Sequence, residues 1–226
     1  FMGLVGSEMC IRDRYDANSS DGEGSVTFVV SFNNGAGISG TNVSAVSNST
    51  SVTTDLTLPT LNTVGIVSNN STNTVGVNGD EVTLTFTSSE EIRSGAHLAV
   101  AFTSGGVAVT DTSIRYDSSG NTHTAKYTVM AGDTGGAVGY TVTFKDRAEN
   151  SGTPVTSGSG SVTIDRTAPS LNSVGIASNN STTSLAKVGN EVILTFTANE
   201  SIETPSSTDV VFFSGGAPIT NAGAIT

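Results

Sequence analysis

The residues with chemistry to offer are carboxylates: Asp55, Glu90, Glu91, Asp117, Asp146, Asp165 and Glu200. They sit in or beside runs of Ser, Thr, Asn and Gly, residues that favour turns. Hard oxygen ligands gathered from several loops are what Ca²⁺ takes, about six to eight at a time. The sequence has no contiguous D-x-D-x-D-G loop, so a site of this kind has to be assembled from distant segments. The plain alternative is that these acids are solvated loop charges.

Catalytic chemistry is poorly supplied, and no enzyme is expected. His97 and His123 are the only histidines, and neither has a recurring partner in the sequence. Serines and threonines are abundant, yet no G-x-S-x-G elbow occurs. The stretch Gly132-Asp133-Thr134-Gly135-Gly136 reads as a hairpin turn, since no helix follows to make it a phosphate loop.

The acids must be placed by repeated β-structure. PTLNTVGIVSNNSTNTVGVNGDEVTLTFTSSEEI from Pro59 recurs as PSLNSVGIASNNSTTSLAKVGNEVILTFTANESI from Pro169, 110 residues further on and without a gap. Ser104-Gly105-Gly106 still meets Ser214-Gly215-Gly216 at that spacing. Self-similarity at a fixed period marks a repeat architecture. An earlier copy is visible too: YDANSSDGEGSVTFVVSF from Tyr15 aligns with YTVMAGDTGGAVGYTVTF from Tyr127 at a spacing of 112. The spacing returns to 110 by Ser51-Val52-Thr53, so a two-residue slip falls in a loop between, where insertion is tolerated. The expected organisation is the back part of one repeat over 15–56, a complete repeat over 57–166, and the front part of another over 167–226, with Thr226 standing where Tyr116 lies in mid-strand.

Residues 1–14 stand outside this pattern. Met9-Cys10-Ile11-Arg12-Asp13-Arg14 resembles the translated end of a sequencing transposon, and the similarity to the repeat begins directly after it, at Tyr15. Residues 1–14 are therefore read as an artefact. FMGLVG is too short for a secretion signal.

The composition belongs to the repeats. The single cysteine is Cys10, so the repeats hold no disulfide, thiol chemistry or cysteine metal site. Of nine Lys and Arg, two lie in residues 1–14, leaving seven, and the net charge is −11. Nucleic acid is not an expected partner for so acidic a chain, because phosphates need basic groups. The acidity suits a soluble surface protein and is compatible with divalent cations. No apolar run approaches the ~20 residues of a membrane span.

Alternating apolar residues mark seven strands in the complete repeat. They carry Leu61/Val64/Ile66, Val82/Leu84/Phe86, Leu98/Val100/Phe102, then Val107 and Val109 running towards Ile114-Tyr116 after a Gly105-Gly106 hairpin. Ala125/Tyr127/Val129, Val138/Tyr140/Val142/Phe144 and Val162/Ile164 complete the set. Asp117-Ser118-Ser119-Gly120-Asn121 reads as a turn. Seven short strands in ~110 residues match an all-β fold of tandem immunoglobulin-like β-sandwiches.

The phrases TLPTLNTVGI, GDEVTLTFTSSEEI, YTVMAGDTGGAVGYTVTFKDRAENSGTPV and SVTIDRTAP resemble the bacterial Ig-like tandem repeats of large secreted, adhesin-type surface proteins, over residues 15–226. The resemblance implies an extracellular or cell-surface location and a spacer or stalk role that presents a distal binding domain. The neighbouring repeats of the same chain are the implied partners, with surface ligands contacted through other domains. An accessory carbohydrate-binding module of a secreted protein is the alternative, and the absence of Trp with only four Tyr offers it little aromatic surface. Family members commonly carry D-x-A-G-N in the last long loop, where this chain has Asp146-Arg147-Ala148-Glu149-Asn150, with Glu in place of Gly. In such a topology the loops at Ser88–Ser94, Asp117–Asn121 and Lys145–Pro154 share the pole that faces the incoming linker. Glu90, Glu91, Asp117 and Asp146 are then expected to gather near Asp55, with Asp21 or Glu23 from the preceding repeat, as an interdomain Ca²⁺ site. Asp165 and Glu200 repeat part of the set at the next junction.

Overall fold

The computed structural model describes residues 12–93, 95–206 and 208–219. Cys10 and most of the segment 1–14 lie outside the described residues, as does Thr226. The chain divides into two compact units, one ending at Asp165 and the other beginning at Arg166. No helix occurs among the described residues, so none is long and apolar enough to cross a membrane. The fold is all-β, as the alternating pattern requires.

The first unit begins with two short strands, β1 (Gly24–Ser25) and β2 (Thr53–Thr54), which pair with each other. Its complete repeat follows with β3 (Leu61–Ser68), β4 (Val75–Gly76), β5 (Glu81–Ser88), β6 (Leu98–Ser104), β7 (Val107–Ala108), β8 (Arg115–Ser119), β9 (Thr122–Thr128), β10 (Gly136–Phe144) and β11 (Thr163–Ile164). These make a four-stranded sheet in the order β3-β5-β9-β8 and a five-stranded sheet in the order β4-β11-β10-β6-β7. Every pairing is antiparallel except β4 with β11.

The two sheets share one core. Val82, Leu84 and Phe86 of β5 and Ala125 and Tyr127 of β9 face Val100 and Phe102 of β6 and Tyr140, Val142 and Phe144 of β10. The rings of Phe102 and Tyr127, one from each sheet, lie 4.8 Å apart between centroids. Alternation along a strand points every second residue to one side, and buried and less buried residues alternate along β5 and β9 accordingly.

Two expectations change. The fourth strand is two strands: β7 pairs with β6 in one sheet, and β8 pairs with β9 in the other. Carboxylates anchor the crossing between them. Asp133 accepts from the amide and hydroxyl of Thr110, at 2.7 and 2.8 Å, and Asp111 accepts from the amides of Ser113 and Thr128, at 2.8 and 2.7 Å. The bonds from Thr128 and Ser113 hold the Asp111 carboxyl below its usual range. The second change is the turn at Asp117–Asn121, which shortens to Gly120-Asn121; Asp117, Ser118 and Ser119 belong to β8. Gly120 turns the chain with a φ of 58°, the left-handed region glycine enters freely. The strand β4 has only two residues, too short for any periodic signal.

Residues 145–160 tie the sheets together. Val155 bridges to Val142 in one sheet, and Ser159 runs parallel to Gly65 of the other. The Ser159 amide donates to the Val64 carbonyl at 2.8 Å, and the Ile66 amide donates to the Ser159 carbonyl at 3.1 Å.

The second unit contains β12 (Leu171–Ser178), β13 (Val192–Ala198), β14 (Phe213–Ser214) and β15 (Ala217–Pro218), paired β12 with β13 and β14 with β15. The β12–β13 register, bulge included, repeats that of β3–β5 residue for residue at a spacing of 110. The loop between repeats as well. Asn69 accepts from the Glu81 amide at 2.8 Å as Asn179 does from Glu191 at 3.1 Å, and the Asn70 amide group donates to Asp80 as that of Asn180 does to Asn190. The recurring S-N-N-S-T is thus a self-bonded loop.

Candidate metal centre

Three carboxylates meet at the pole where the linker enters the complete repeat. Asp55 lies in that linker, Glu90 in the loop after β5, and Asp146 in the loop after β10. Backbone pairing brings the loops together: the Ser89 amide donates to the Thr60 carbonyl at 2.8 Å, Ser88 donates to Asn121 at 2.9 Å, and Ile92 bridges Asp146. One carboxylate oxygen from each of Asp55, Glu90 and Asp146 lies within 4.8 Å of the others. Oxygens on a Ca²⁺ shell of about 2.4 Å radius are at most ~4.8 Å apart, so the spacing suits one shared ion.

The three groups are held differently. Asp146, 1% exposed, accepts from the Asn150 amide and from the Asn150 side chain, each at 2.8 Å. The same Asn150 Nδ2 donates to the Asp55 carbonyl at 3.1 Å, fastening the linker to the loop. Glu90 Oε1 is buried without a hydrogen-bond partner. Burial first, then the charges of Asp55, Asp146 and Glu23, push the Glu90 carboxyl above its ordinary range. None of the ion pairs among the described residues includes Asp55, Glu90 or Asp146. Nearby cations are engaged elsewhere, Arg147 with Glu91 at 3.2 Å and Arg93 with Glu149.

The other expected members fall outside the trio. Glu91 is exposed and pairs with Arg147. Asp117 is exposed on the edge strand β8, its carboxylate accepting from the Ser118 amide at 2.8 Å. Asp21 is consumed by its own turn, accepting from Tyr15 and Asn18. Glu23 lies by the linker, where it accepts from the Leu56 amide at 3.0 Å and from the Thr57 hydroxyl, bonds that hold its carboxyl low. Asp165 ends the first unit, its amide donating to the Gly76 carbonyl at 3.0 Å. Glu200 lies in the second unit, and its Oε1, like that of Glu90, is buried without a partner. Sequence reasoning passed over Asn150. Its signal was the last position of the D-x-A-G-N pattern.

The loop that carries Asp146 keeps its turn in spite of Glu149. That residue takes a φ of 72°, and Gly37, at the same place in the earlier copy, takes 84°. A non-glycine residue pays about 1–2 kcal/mol in this region, and the exposed Arg93 pair returns at most ~1. Glu149→Gly is therefore expected to stabilise the module by up to about 1 kcal/mol in chemical denaturation, with Asp146 still in place.

These features define an all-β, tandemly repeated protein with a carboxylate trio where the chain enters its complete module. No protein-family model matches the chain, and no curated protein or solved structure is significantly similar to it.

Proposed function

We propose that the chain is a run of immunoglobulin-like spacer modules from a bacterial cell-surface or secreted adhesin-type protein. In this reading the modules hold a distal binding domain away from the cell, and Ca²⁺ at Asp55, Glu90 and Asp146 fixes the angle between successive modules. The observation that carries it is the trio itself: one member belongs to the linker and two to the module it enters, with one oxygen of each within 4.8 Å of the others and no ion pair to any of them among the described residues. An ion there neutralises three carboxylates that otherwise repel, and it makes linker and module one body. The linker already bends little, being short and ending in the buried Pro59.

The path of the chain suits a spacer. It enters the complete module beside Thr60 and leaves at Asp165, which bonds Gly76 at the far end of the four- and five-stranded sheets. Eight residues of β3 separate these poles, about 27 Å of strand. Two consecutive whole repeats in small-angle scattering are expected to become longer and stiffer when Ca²⁺ replaces chelator. Identical profiles and identical melting temperatures in both conditions would refute the cation's part.

A further inference from the structure

The complete module carries a cavity at the seam between its two sheets, lined by none of the three carboxylates of the trio. Strand β7 pairs only with Thr103 and Ser104 of β6, so residues 98–101 have no strand on that side. The facing sheet ends in the exposed edge strand β8. Tyr116 of β8 spans the gap, its hydroxyl accepting from the Val100 amide of β6 at 2.9 Å. Beside this strut lies an opening of about 270 Å³, lined by Ile92, Leu98, Tyr116, Ser118 and His123, with Asp117 among its lining residues.

The wall holds a group that the protein leaves unsatisfied. His123 is 5% exposed, and its Nε2 is buried without a hydrogen-bond partner. Buried polar groups in folded proteins nearly always find one. Phe86 stacks on the ring at 5.5 Å between centroids, which leaves the cavity as the approach for a partner. Burial holds the imidazole below its usual range, so it is uncharged at neutral pH. The Asp117 carboxylate takes one amide, from Ser118 at 2.8 Å, and joins none of the ion pairs among the described residues. No Lys or Arg is among the lining residues.

These walls select among ligands. An anion would meet Asp117 with no cation to offset it. A wholly apolar molecule would leave His123 Nε2 unpaired. What fits is a small uncharged ring with an apolar side and several hydroxyls. Its C–H groups lie against Ile92, Leu98 and Tyr116, and its hydroxyls reach Asp117, Ser118 and His123. A hydroxyl donates to a carboxylate, and it either donates to or accepts from a neutral imidazole. A pyranose divides its surface in this way. The opening is below the range of drug-sized sites, about 300–1,000 Å³, and suits one ring. Of the module's tyrosines, Tyr127 and Tyr140 are buried and Tyr116 alone is exposed. Its bond to Val100 fixes the ring before any ligand arrives, which lowers the cost of binding.

We infer that this seam binds one neutral pyranose ring, free or at the end of a glycan, with Tyr116 as an apolar wall and Asp117, Ser118 and His123 as its hydrogen-bonding groups. The site is independent of the cation at the linker.

NMR of the full chain, labelled at the histidine ring carbons, reads the site directly. His97 is not among the lining residues and serves as the internal control. The probes are glucose, galactose, mannose and their methyl glycosides. Saturable movement of the His123 resonances is expected for at least one sugar, with a Kd on the order of 1 mM, usual for so small a ligand, while His97 stays still. Ser118→Leu, at an exposed position, fills the opening and is expected to abolish the movement at unchanged melting temperature. His123→Phe keeps a ring on Phe86 and removes the nitrogen. It is expected to raise the melting temperature without sugar and to weaken binding about tenfold or more, read from the sugar's own signals. Binding of the free sugars alone assigns the site to monosaccharides, and binding of the methyl glycosides as well extends it to the end of a glycan. His123 resonances that no sugar moves overturn the inference. So does movement that survives Ser118→Leu, or a site that prefers benzylamine or acetate to every sugar.

Discussion

Glu90→Gln is expected to raise the melting temperature in chelator at neutral pH and to abolish any rise on adding Ca²⁺. Without a cation, the Glu90 carboxyl is pushed up by burial and by Asp55, Asp146 and Glu23. Between its ordinary value and the raised one, the native state holds a proton that the unfolded chain has released, so stability falls as pH rises through that window. Glu90's favourable contribution is complete below its ordinary value, ~4.3 for a free glutamate. It is lost as pH climbs through the raised native one. The substitution removes the charge, and the introduced amide can donate to either neighbouring carboxylate. The gain is on the order of 1–3 kcal/mol, the usual penalty of a buried unpaired polar group.

With Ca²⁺ the order of the two proteins reverses. An ion binding only the native state adds ~2.7 kcal/mol at a hundredfold excess over its Kd, on the order of 10 °C for a module of this size. The wild type should show that rise, increasing with pH as protons cease to compete, and the variant should show none. Calorimetry at several pH values, in chelator and in Ca²⁺, reads both effects. Parallel responses from the two proteins would remove Glu90 from the site and leave its buried oxygen unexplained.

Gly158→Ala is expected to destabilise the complete module by about 3 kcal/mol, at the upper end of overpacking effects. A Cβ there would lie 2.4 Å from the Val64 carbonyl oxygen and 2.8 Å from Tyr140 Oη and Val64 Cβ. The nearest atom is backbone in the middle of a paired strand, so it cannot turn aside as a side chain would. Relief requires residues 158–160 to lift from β3, which breaks the bonds that Ser159 makes to Val64 and Ile66. Gly160 offers a second reading of the same contact, with φ of 75° and a Cβ position 2.4 Å from the Ile66 carbonyl. Gly95→Ala is a useful comparison, since that glycine also has positive φ, 81°, but its Cβ would meet nothing within 4 Å. Its loss should be smaller, limited to backbone strain. Equal melting temperatures for the Gly158 and Gly95 variants would show that close approach to β3 is not what residue 158 supplies.

The sequence by itself determined the all-β class, the period of 110 and most of the strands. Each of these is written locally: alternation of side chains along β5, β9 and β10 can only be satisfied by a sheet with one buried face. The self-bonded S-N-N-S-T loop and the Gly105-Gly106 hairpin are equally local, and they repeat because their sequences do. Tertiary structure decided the rest. The segment 107–116 is one apolar run in sequence, yet it is divided between two sheets by Asp133 and Asp111, whose partners lie 17 to 23 residues away. The strand β4 exists only because β11 lies beside it. Among the acids, sequence placed Glu90, Glu91, Asp117 and Asp146 near Asp55 at one junction and Asp165 and Glu200 at the next, without separating those that meet from those that do not, because a carboxylate's type and spacing do not record its neighbours. Chain folding left Glu91 in an ion pair, Asp117 on an exposed edge and Asp165 and Glu200 in separate units. It brought Asp55, Glu90 and Asp146 together through loops that are 35 and 56 residues apart in the chain, because the loops after β5 and β10 close on the pole where the linker enters.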